Sequence, residues 1–465
     1  MHQLYDKSKI DWDHLQFDSK ALFALLLPLM VEQLLNTFMG MADTVMVGRI
    51  GGAAISAVSL VDSINVLFIQ VFAALAAGGT IVCSYYLGRS DREGATDAAK
   101  QVMLSVTALS TVITALCLLT NRPLLKLVFG SIEADVMANA RTYFYITALS
   151  FPFLALSNAG AAFFRAGGES RLPMLVSAAA NLGNIAGNAV LIFVCGWGVR
   201  GAAISTLVSR IANAVALFAL LRRDRQPIVI TDYRRLRPHW RTIRNVLMIG
   251  IPSGIENGMF QFGKLAIQSS VSTLGTAAIA AQALAIPMES LNGVAAVGCG
   301  IGLMTVVGQC IGAGKIEEAK YNVFRLIRIA WVAIVVSCAA VWLLSEPIAQ
   351  LSGLEEESLQ IFREMVTFIT VTKPLFWVLA FIPGYGMRAA GDVAFSMIAS
   401  SITMWLCRVT LAVALIRVFH FGPIAVWIGM AADWAVRSVI FGARLLSMKW
   451  TTKHILSSDT DRLNI

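Results

Sequence analysis

Residues 28–48 read PLMVEQLLNTFMGMADTVMVG, an apolar run that carries a few polar side chains. Glu32 and Asp43 are eleven residues apart, and Asn36 lies between them. At about 100° per residue, these three positions share one face of a helix. With its flanks, the run is long enough to cross a bilayer. Because a charged side chain in hydrocarbon is costly, the stretch predicts a membrane-spanning helix whose polar face serves a function.

Apolar runs of similar length recur along the whole chain. The 465 residues are 57% hydrophobic and 14% charged, with a mean hydropathy of +0.71, whereas a soluble domain is about 25% charged. We predict an all-α polytopic membrane protein of twelve transmembrane helices, with almost no chain left for a soluble domain. The predicted spans are 21–47, 54–80, 98–120, 140–163, 173–195, 199–221, 243–271, 278–306, 322–345, 364–386, 395–417 and 423–446.

The first half of the chain recurs in the second half at an offset of 224 residues. Matching pairs include Pro28 with Pro252, Glu32 with Glu256, Gly51 with Gly275, Gly88 with Gly312 and Pro123 with Pro347. Each half has six spans, so both halves enter the membrane from the same side. We therefore expect two parallel lobes related by a pseudo-twofold axis along the membrane normal, with the substrate site between them.

Positive charge is concentrated in the segment that joins the two halves. Its arginines are Arg222, Arg223, Arg225, Arg234, Arg235, Arg237, Arg241 and Arg244. The positive-inside rule places this linker and both termini on the cytoplasmic side of the inner membrane. An RNA-binding loop would also be basic, but a topology signal that contacts anionic lipid is the simpler interpretation of the net charge of +9. We expect no nucleic-acid partner.

These features divide the chain into five segments. They are an N-terminal cytoplasmic segment (1–20), an N-lobe (21–221), a basic linker (222–244), a C-lobe (245–446) and a C-terminal tail (447–465). The first twenty residues carry seven charged side chains, too many for a cleavable signal peptide, so the first span is expected to stay in the mature protein.

The sequence does not provide the residues that several kinds of catalysis require. The histidines (His2, His14, His239, His420 and His454) all fall outside membrane depth, and no cysteines form a C-x-x-C pair. Residues 309–316 do not complete a phosphate loop, because Ile316 stands where Ser or Thr is required. An enzyme embedded in the membrane and direct use of ATP are therefore disfavoured. We expect no cofactor and an ion gradient as the energy source.

Polar side chains of the N-lobe converge near Asp43. Asn181, Asn184 and Asn188 share a face of the fifth span, and Thr206 lies on the sixth at a similar depth. One carboxylate with amide and hydroxyl oxygens suits either a proton site or a hard-cation site such as one for Na⁺. Hydrogen bonding that merely holds the helices together is the alternative for the asparagines.

The C-lobe does not repeat this polar face. Ile267 stands where the repeat would place Asp43, while Lys264 lies two turns beyond Glu256 and within about 80° of its face, so we expect those two to pair. The candidates for substrate binding or gating are Glu32, Asn36, Glu256, Lys264 and Glu289, and Asn292 is a further candidate. Asp62, Arg210, Arg408, Asp433 and Arg437 could be gating, snorkelling or packing charges.

Several segments of the sequence resemble those of a known family. Residues 28–48, the GAAISAVSL segment at 52–60, the spacing from Asn184 through Asn188 to Phe193 and the GAAISTLVS segment at 201–209 resemble the multidrug and toxic compound extrusion (MATE) transporters. The resemblance covers residues 20–446. It implies a V-shaped bundle of two six-helix lobes and cation-coupled drug efflux, with Asp43 as the coupling residue and Asn184, Asn188 and Thr206 around it.

The branch of the family is intermediate. DinF-like members carry an Asp where this chain has Asn188, which instead resembles NorM-type members. NorM-type members carry acids in the seventh and tenth spans, but Glu256 lies about one turn too early and the tenth span has only Glu364 at its edge. The coupling ion, H⁺ or Na⁺, therefore stays open.

We accordingly predict a monomeric secondary antiporter in the lipid bilayer of the inner membrane. It would export small organic compounds, often cationic, in exchange for protons or sodium ions. The alternative is a flippase for lipids or lipid-linked sugars, which would need a cavity rich in Arg or Lys to neutralise phosphate. The acidic or neutral polar faces of the N-lobe favour cationic or neutral cargo.

Overall fold

The computed structural model describes residues 5–130, 133–223, 226–231, 237–271, 274–351 and 355–452. In these ranges all regular secondary structure is helical. Arg225, Arg234 and Arg235 of the predicted linker, His2, His454 and most of the predicted C-terminal tail lie outside the described residues.

The chain divides into two compact units. The N-terminal unit, Lys20–Gly254, contains eight helices and the beginning of a ninth. They are α1 (Ser19–Gly48), α2 (Gly52–Gly88), α3 (Arg92–Leu119), α4 (Asn121–Phe129), α5 (Ala134–Leu149), α6 (Phe151–Ala166), α7 (Arg171–Asn188), α8 (Gly198–Leu220) and the first part of α9 (Trp240–Val271).

The C-terminal unit comprises Ile255–Ile465 together with Met1–Ser19. Its helices are the rest of α9, α10 (Thr276–Gly312), α11 (Ile316–Leu351), α12 (Glu356–Ala389), α13 (Val393–Thr403), α14 (Leu411–Arg417) and α15 (Ile424–Leu446). The boundary between the units falls inside α9, later than the predicted linker, since residues before Ile255 pack on the N-terminal unit.

The predicted all-α, multi-span fold class is confirmed. Among the described residues, ten helices are long and apolar enough to cross a membrane, or eleven if the bent pair α5 and α6 forms one span. That pair, bent by 43° at Ser150, replaces the predicted continuous fourth span. Helix α9 fills the predicted seventh span, but polar residues along one face lower its hydropathy below that of the others.

Both units begin their longest helix from an equivalent glycine. Gly51 precedes α2 with φ +143°, and Gly275 precedes α10 with φ +94°. Side chains with a Cβ rarely adopt such positive φ values, so each turn requires glycine. The repeat seen in the sequence thus has a physical basis in matched turns between matched helices.

A second shared feature is a π-helical segment in equivalent helices. Ala189–Val194 continues α7 as a π-helix, and Met404–Thr410 joins α13 to α14 in the same way. Wide turns of this kind are rare and occur frequently at functional sites, because they rotate the side chains of one turn relative to the next. Asn188 directly precedes the first segment, and Arg408 lies within the second.

The segment before α1 is ordered and packs on α10 and α11. The Asp6 N–H donates to Glu317 Oε2 at 2.8 Å, and the Gln16 N–H donates to Glu318 Oε1 at 2.6 Å. At the end of this segment, Arg325 donates to Ser19 Oγ at 2.7 Å. These contacts tie the predicted N-terminal segment to the junction between α10 and α11.

Candidate functional site: a carboxylate in the N-terminal unit and a basic cluster in the C-terminal unit

The structure brings Asp43 together with the two asparagines of α7. The side-chain amide of Asn188 donates to Asp43 Oδ1 at 2.7 Å. The Asn184 amide is best satisfied when its nitrogen also donates to Asp43 Oδ1, at 3.1 Å, and its oxygen accepts from the Thr206 N–H at 3.1 Å. Asp43 is half-buried, whereas Asn184 and Asn188 are 2% and 1% exposed. All four predicted residues therefore lie in one cluster.

Close packing of α7 against α8 creates this cluster. Asn184 and Asn188 are one turn apart at the end of α7, so both face the same way. A Cβ added to Gly187 would overlap the Ser205 hydroxyl, and one added to Gly201 would lie 3.0 Å from the Leu191 backbone. Small residues at this crossing let the two helices approach.

One polar atom beside Asp43 has no partner. Asn188 Oδ1 is buried and makes no hydrogen bond with any described residue. A buried acceptor without a donor costs free energy, so it favours the arrival of a donor or a cation. The cluster can therefore take up a proton on the Asp43 carboxylate, or a hydronium ion or hard cation that contacts the free Asn188 oxygen.

A second carboxylate, Asp62 of α2, has its own donors. Asp62 Oδ1 accepts hydrogen bonds from Asn65 Nδ2 at 3.1 Å and from the Tyr143 hydroxyl at 3.3 Å. The sequence leaves the role of Asp62 open, and Tyr143 of the bent pair α5 and α6 was not among the predicted residues. No spacing within one helix could have indicated this contact between helices.

Arg210 of α8 lies near both carboxylates. Its Nη1 donates to Ser150 Oγ at 2.6 Å, at the bend between α5 and α6. Asp62 and Arg210 are both close enough to Asp43 to interact with it electrostatically. Asp43, Asp62 and Arg210 thus form a group of two acids and one base, with a net negative charge when all three are ionised.

Glu32 and Glu256 each form an ion pair with an arginine at matching positions of the repeat. Arg165 Nη2 lies 2.8 Å from both carboxylate oxygens of Glu32, which is 4% exposed. Arg388 Nη1 lies 3.0 Å from Glu256 Oε2. The predicted pair of Glu256 and Lys264 is wrong, because Glu256 is occupied by Arg388 from α12.

The remaining candidates also make contacts between helices. Asn36 accepts a hydrogen bond from Asn181 at 3.0 Å, which links α1 to α7. Lys373 of α12, only 1% exposed, donates to both the side chain and the backbone carbonyl of Glu289 at 2.6 Å. The sequence analysis missed Lys373, although a lysine inside an apolar span was a usable signal.

The C-terminal unit contains a group of charges that we call the basic cluster. Its members are Lys264, Lys373, Arg408 and Arg437, with the acids Glu289 and Asp433. Arg437 Nη2 binds both oxygens of Asp433, at 2.9 and 3.2 Å, while Arg408 Nη1 is 3.9 Å from Asp433 Oδ2. Within the described ranges, no three His, Cys, Asp or Glu side chains are placed to hold a metal ion.

Long apolar helices in two repeated units, with ionisable groups inside them, define a polytopic membrane transporter built from an internal repeat. The sequence model of the MatE family matches the chain twice, over residues 28–190 and 252–414. The matches begin 224 residues apart, which is the offset of the predicted repeat. The chain therefore belongs to the MatE family, and the predicted membership of the MATE transporters is confirmed.

Relatives of similar length support this assignment. The probable multidrug resistance protein NorM of Thermotoga maritima is 26% identical over 452 residues, which cover 95% of each chain. Multidrug and toxin extrusion protein 1 of Oryctolagus cuniculus is 22% identical over 93% of this chain and 75% of that protein. A solved multidrug resistance MATE family transporter in an outward-facing conformation has a TM-score of 0.86 at 21% identity, covering 92% of this chain and 96% of that one, which shows the shared fold.

Proposed function

We propose that this transporter is a secondary antiporter that exports small organic compounds, with Asp43 as the coupling carboxylate and a proton as the coupling ion. The observation that carries the proposal is the site of Asp43, which receives two amide hydrogen bonds next to an unpartnered buried oxygen of Asn188. Relatives named as multidrug resistance proteins support the class of cargo.

The ligand atoms around Asp43 favour a proton over sodium. Sodium prefers several oxygen ligands, but both amides turn their nitrogens toward Asp43 Oδ1. The oxygen of Asn184 is occupied by the Thr206 N–H, so only Asn188 Oδ1 remains free among the amide oxygens. A sodium ion would require the Asn184 amide to rotate before a second amide oxygen could bind it, whereas a proton needs only a carboxylate oxygen.

Protonation would change the hydrogen bonds that join α1 to α7. Ionised Asp43 accepts from both amides, while a neutral carboxyl group carries a donor of its own and weakens those charge-assisted bonds. A ligand shifts a conformational equilibrium only by its differential affinity for the two states. Proton binding at Asp43 would supply such a difference, and it would be reciprocal with export of the compound.

The proposed location is the inner membrane, with both termini in the cytoplasm and the chain acting as a monomer. The contact of the N-terminal segment with the junction of α10 and α11 supports this topology, because it requires both to lie on one side of the membrane. Reporter fusions at Gly130, Asp232 and Glu356 should report outside, inside and outside. An outside signal at Asp232 would contradict the topology.

A flippase for lipids or lipid-linked sugars is the second candidate function. The observation that favours it is the basic cluster, since a phosphate-bearing headgroup needs cationic partners. The acids of the N-terminal unit do not provide such partners, so we keep the antiporter as the main proposal.

Transport into everted membrane vesicles tests the coupling ion. Collapse of the proton gradient with nigericin should stop uptake of rhodamine 123, while collapse of an imposed sodium gradient should leave it unchanged. Asp43→Asn should show no response to the proton gradient, although the protein is inserted at normal levels. Uptake that follows the sodium gradient alone would contradict proton coupling.

A further inference from the structure

We propose that the C-terminal unit contains a binding site for an anionic group, a carboxylate, sulfonate or phosphate, formed by Lys264 and Arg408, whose cationic groups both lie close to the Phe260 ring. This inference rests on the proposed export of small organic compounds, and it specifies a charge that the cargo carries. The site lies entirely within α9 and the π-helical segment Met404–Thr410.

The charges of the basic cluster do not balance. Lys373 is paired with Glu289 at 2.6 Å, and Arg437 takes both oxygens of Asp433. The carboxylates that interact electrostatically with Lys264 and Arg408 are Glu289 and Asp433, and each already binds another cation. Four cations therefore face two anions, and Lys264 and Arg408 supply the excess positive charge.

Arg408 is buried, but not all of its hydrogen-bond donors have acceptors. It is 4% exposed, and its Nε makes no hydrogen bond with any described residue. Its Nη1 lies 4.0 Å from Met404 Sδ and 3.9 Å from an Asp433 oxygen that already serves Arg437. A buried guanidinium with open donors costs several kcal/mol unless an acceptor arrives. An anionic ligand would fill those donor positions.

Lys264 and Arg408 share one aromatic side chain. Lys264 Nζ lies 5.0 Å and Arg408 Cζ 4.9 Å from the centroid of the Phe260 ring. An aromatic ring attracts each cation, yet it carries no net charge and cannot offset the repulsion between them. The arrangement holds two like charges near each other, and an anion that contacts both would relieve this repulsion.

Backbone packing keeps the two cations together. A Cβ added to Gly263 would overlap the Met404 side chain and would lie 3.2 Å from Val409 Cγ2. Glycine at this position therefore lets α9 approach the π-helical segment that carries Arg408. Lys264 follows Gly263 directly, so the close approach places its side chain beside Phe260 and Arg408.

The site is accessible on one side. Lys264 is exposed, whereas Arg408 and Lys373 are buried. Asn257, Gln261 and Gln268 lie on the same face of α9 as Lys264, at spacings of seven, three and four residues respectively. A lysine is costly in hydrocarbon, so this polar face is expected to line a hydrated path rather than contact lipid tails. An anion can approach through Lys264 toward Arg408.

Two dyes that differ only in one acid group test the proposal. Rhodamine 110 has a free carboxylate, and rhodamine 123 is its methyl ester. In phosphatidylcholine nanodiscs without any ion gradient, fluorescence polarisation should show rhodamine 110 bound about tenfold more tightly, as one charge-assisted contact implies. Equal affinity, tighter binding of the ester or failure of the wild-type protein to bind rhodamine 110 would overturn the proposal.

Single substitutions test which residues cause the tighter binding of rhodamine 110. Lys264→Gln and, separately, Arg408→Gln should abolish the preference, so that rhodamine 110 and its ester bind each variant with equal affinity. Lys100→Gln and Arg363→Gln are matched controls, because Lys100 and Arg363 form their ion pairs outside the basic cluster. If Arg408→Gln fails to fold, Lys264→Gln still decides the result. A preference that survives Lys264→Gln would also contradict the site.

A third comparison identifies the source of the anion. Replacing part of the phosphatidylcholine with phosphatidylglycerol should weaken rhodamine 110 binding in the wild type but not in Lys264→Gln if the natural ligand is a lipid headgroup. An unchanged affinity would support a free organic anion. The proposed function is judged separately, because Asp43→Asn should lose gradient-driven transport while it keeps the preference between the two dyes.

Discussion

The two units of this MATE transporter share a scaffold but differ in the charges they bury. Each has a glutamate–arginine pair at equivalent positions, Glu32 with Arg165 and Glu256 with Arg388. Beyond that pair, the N-terminal unit places Asp43 among amides, whereas the C-terminal unit has Ile267 at the matching position and a cluster rich in cations. We therefore assign the shared pair to the scaffold and propose functional roles for the unshared charges.

The location of the unshared charges is also instructive. In the N-terminal unit, Asn188, which donates to Asp43, directly precedes the π-helical segment, and in the C-terminal unit Arg408 lies within one. A π-helical segment costs regular hydrogen bonds and is retained where it positions a useful side chain. The same structural device thus serves a carboxylate site in one unit and a basic site in the other.

The largest expected effect is on stability and concerns the shared pair. Arg165→Gln leaves Glu32 buried without its counter-ion, which should lower the free energy of unfolding by about 3–5 kcal/mol. Arg388→Gln should cost less, because Glu256 and Arg388 have side-chain exposures of 15% and 13%. Thermal unfolding of the purified protein in one detergent compares the two variants. The double variant Glu32→Gln with Arg165→Gln should recover part of the loss.

A smaller difference is expected within the basic cluster. Arg437→Gln breaks two bonds to Asp433 and should destabilise the protein by about 3 kcal/mol, since it leaves a buried carboxylate unpaired. Arg408→Gln removes a cation that lacks a full set of acceptors and should have little effect on the same unfolding measurement. If Arg408→Gln is the more damaging of the two, its charge is not in excess.

Moving the carboxylate to the other unit is not expected to restore proton-driven transport. Ile267→Asp, introduced together with Asp43→Asn, should fail to restore transport driven by a proton gradient. Position 267 is 5% exposed, and Cys407 and Leu411 stand where the repeat would place the amides of Asn184 and Asn188. Recovery of gradient-driven uptake in everted vesicles would show that the two units are interchangeable, contrary to the comparison above.

The sequence predicted what depends on order along one helix. Spacing alone indicated the polar face of α1 and the two asparagines of α7, and the repeat indicated that Glu32 and Glu256 are equivalent. Spacing along one helix does not predict contacts between different helices. Spacing suggested that Lys264 pairs with Glu256, but Arg388 approaches from α12 and takes that carboxylate. The bend at Ser150 was also missed, although Pro152 in the first turn of α6 was a usable signal. Both π-helical segments were missed because no proline or other simple signal marks them.

The most direct test of the account separates coupling from binding in one preparation. Purified wild type, Asp43→Asn and Lys264→Gln are reconstituted in proteoliposomes, and uptake of rhodamine 123 is measured with and without an imposed proton gradient. We predict that Asp43→Asn binds the dye normally but no longer accumulates it against its gradient, while Lys264→Gln accumulates it as the wild type does. Uphill accumulation at the wild-type rate by Asp43→Asn would contradict the central claim that Asp43 couples transport to the proton gradient.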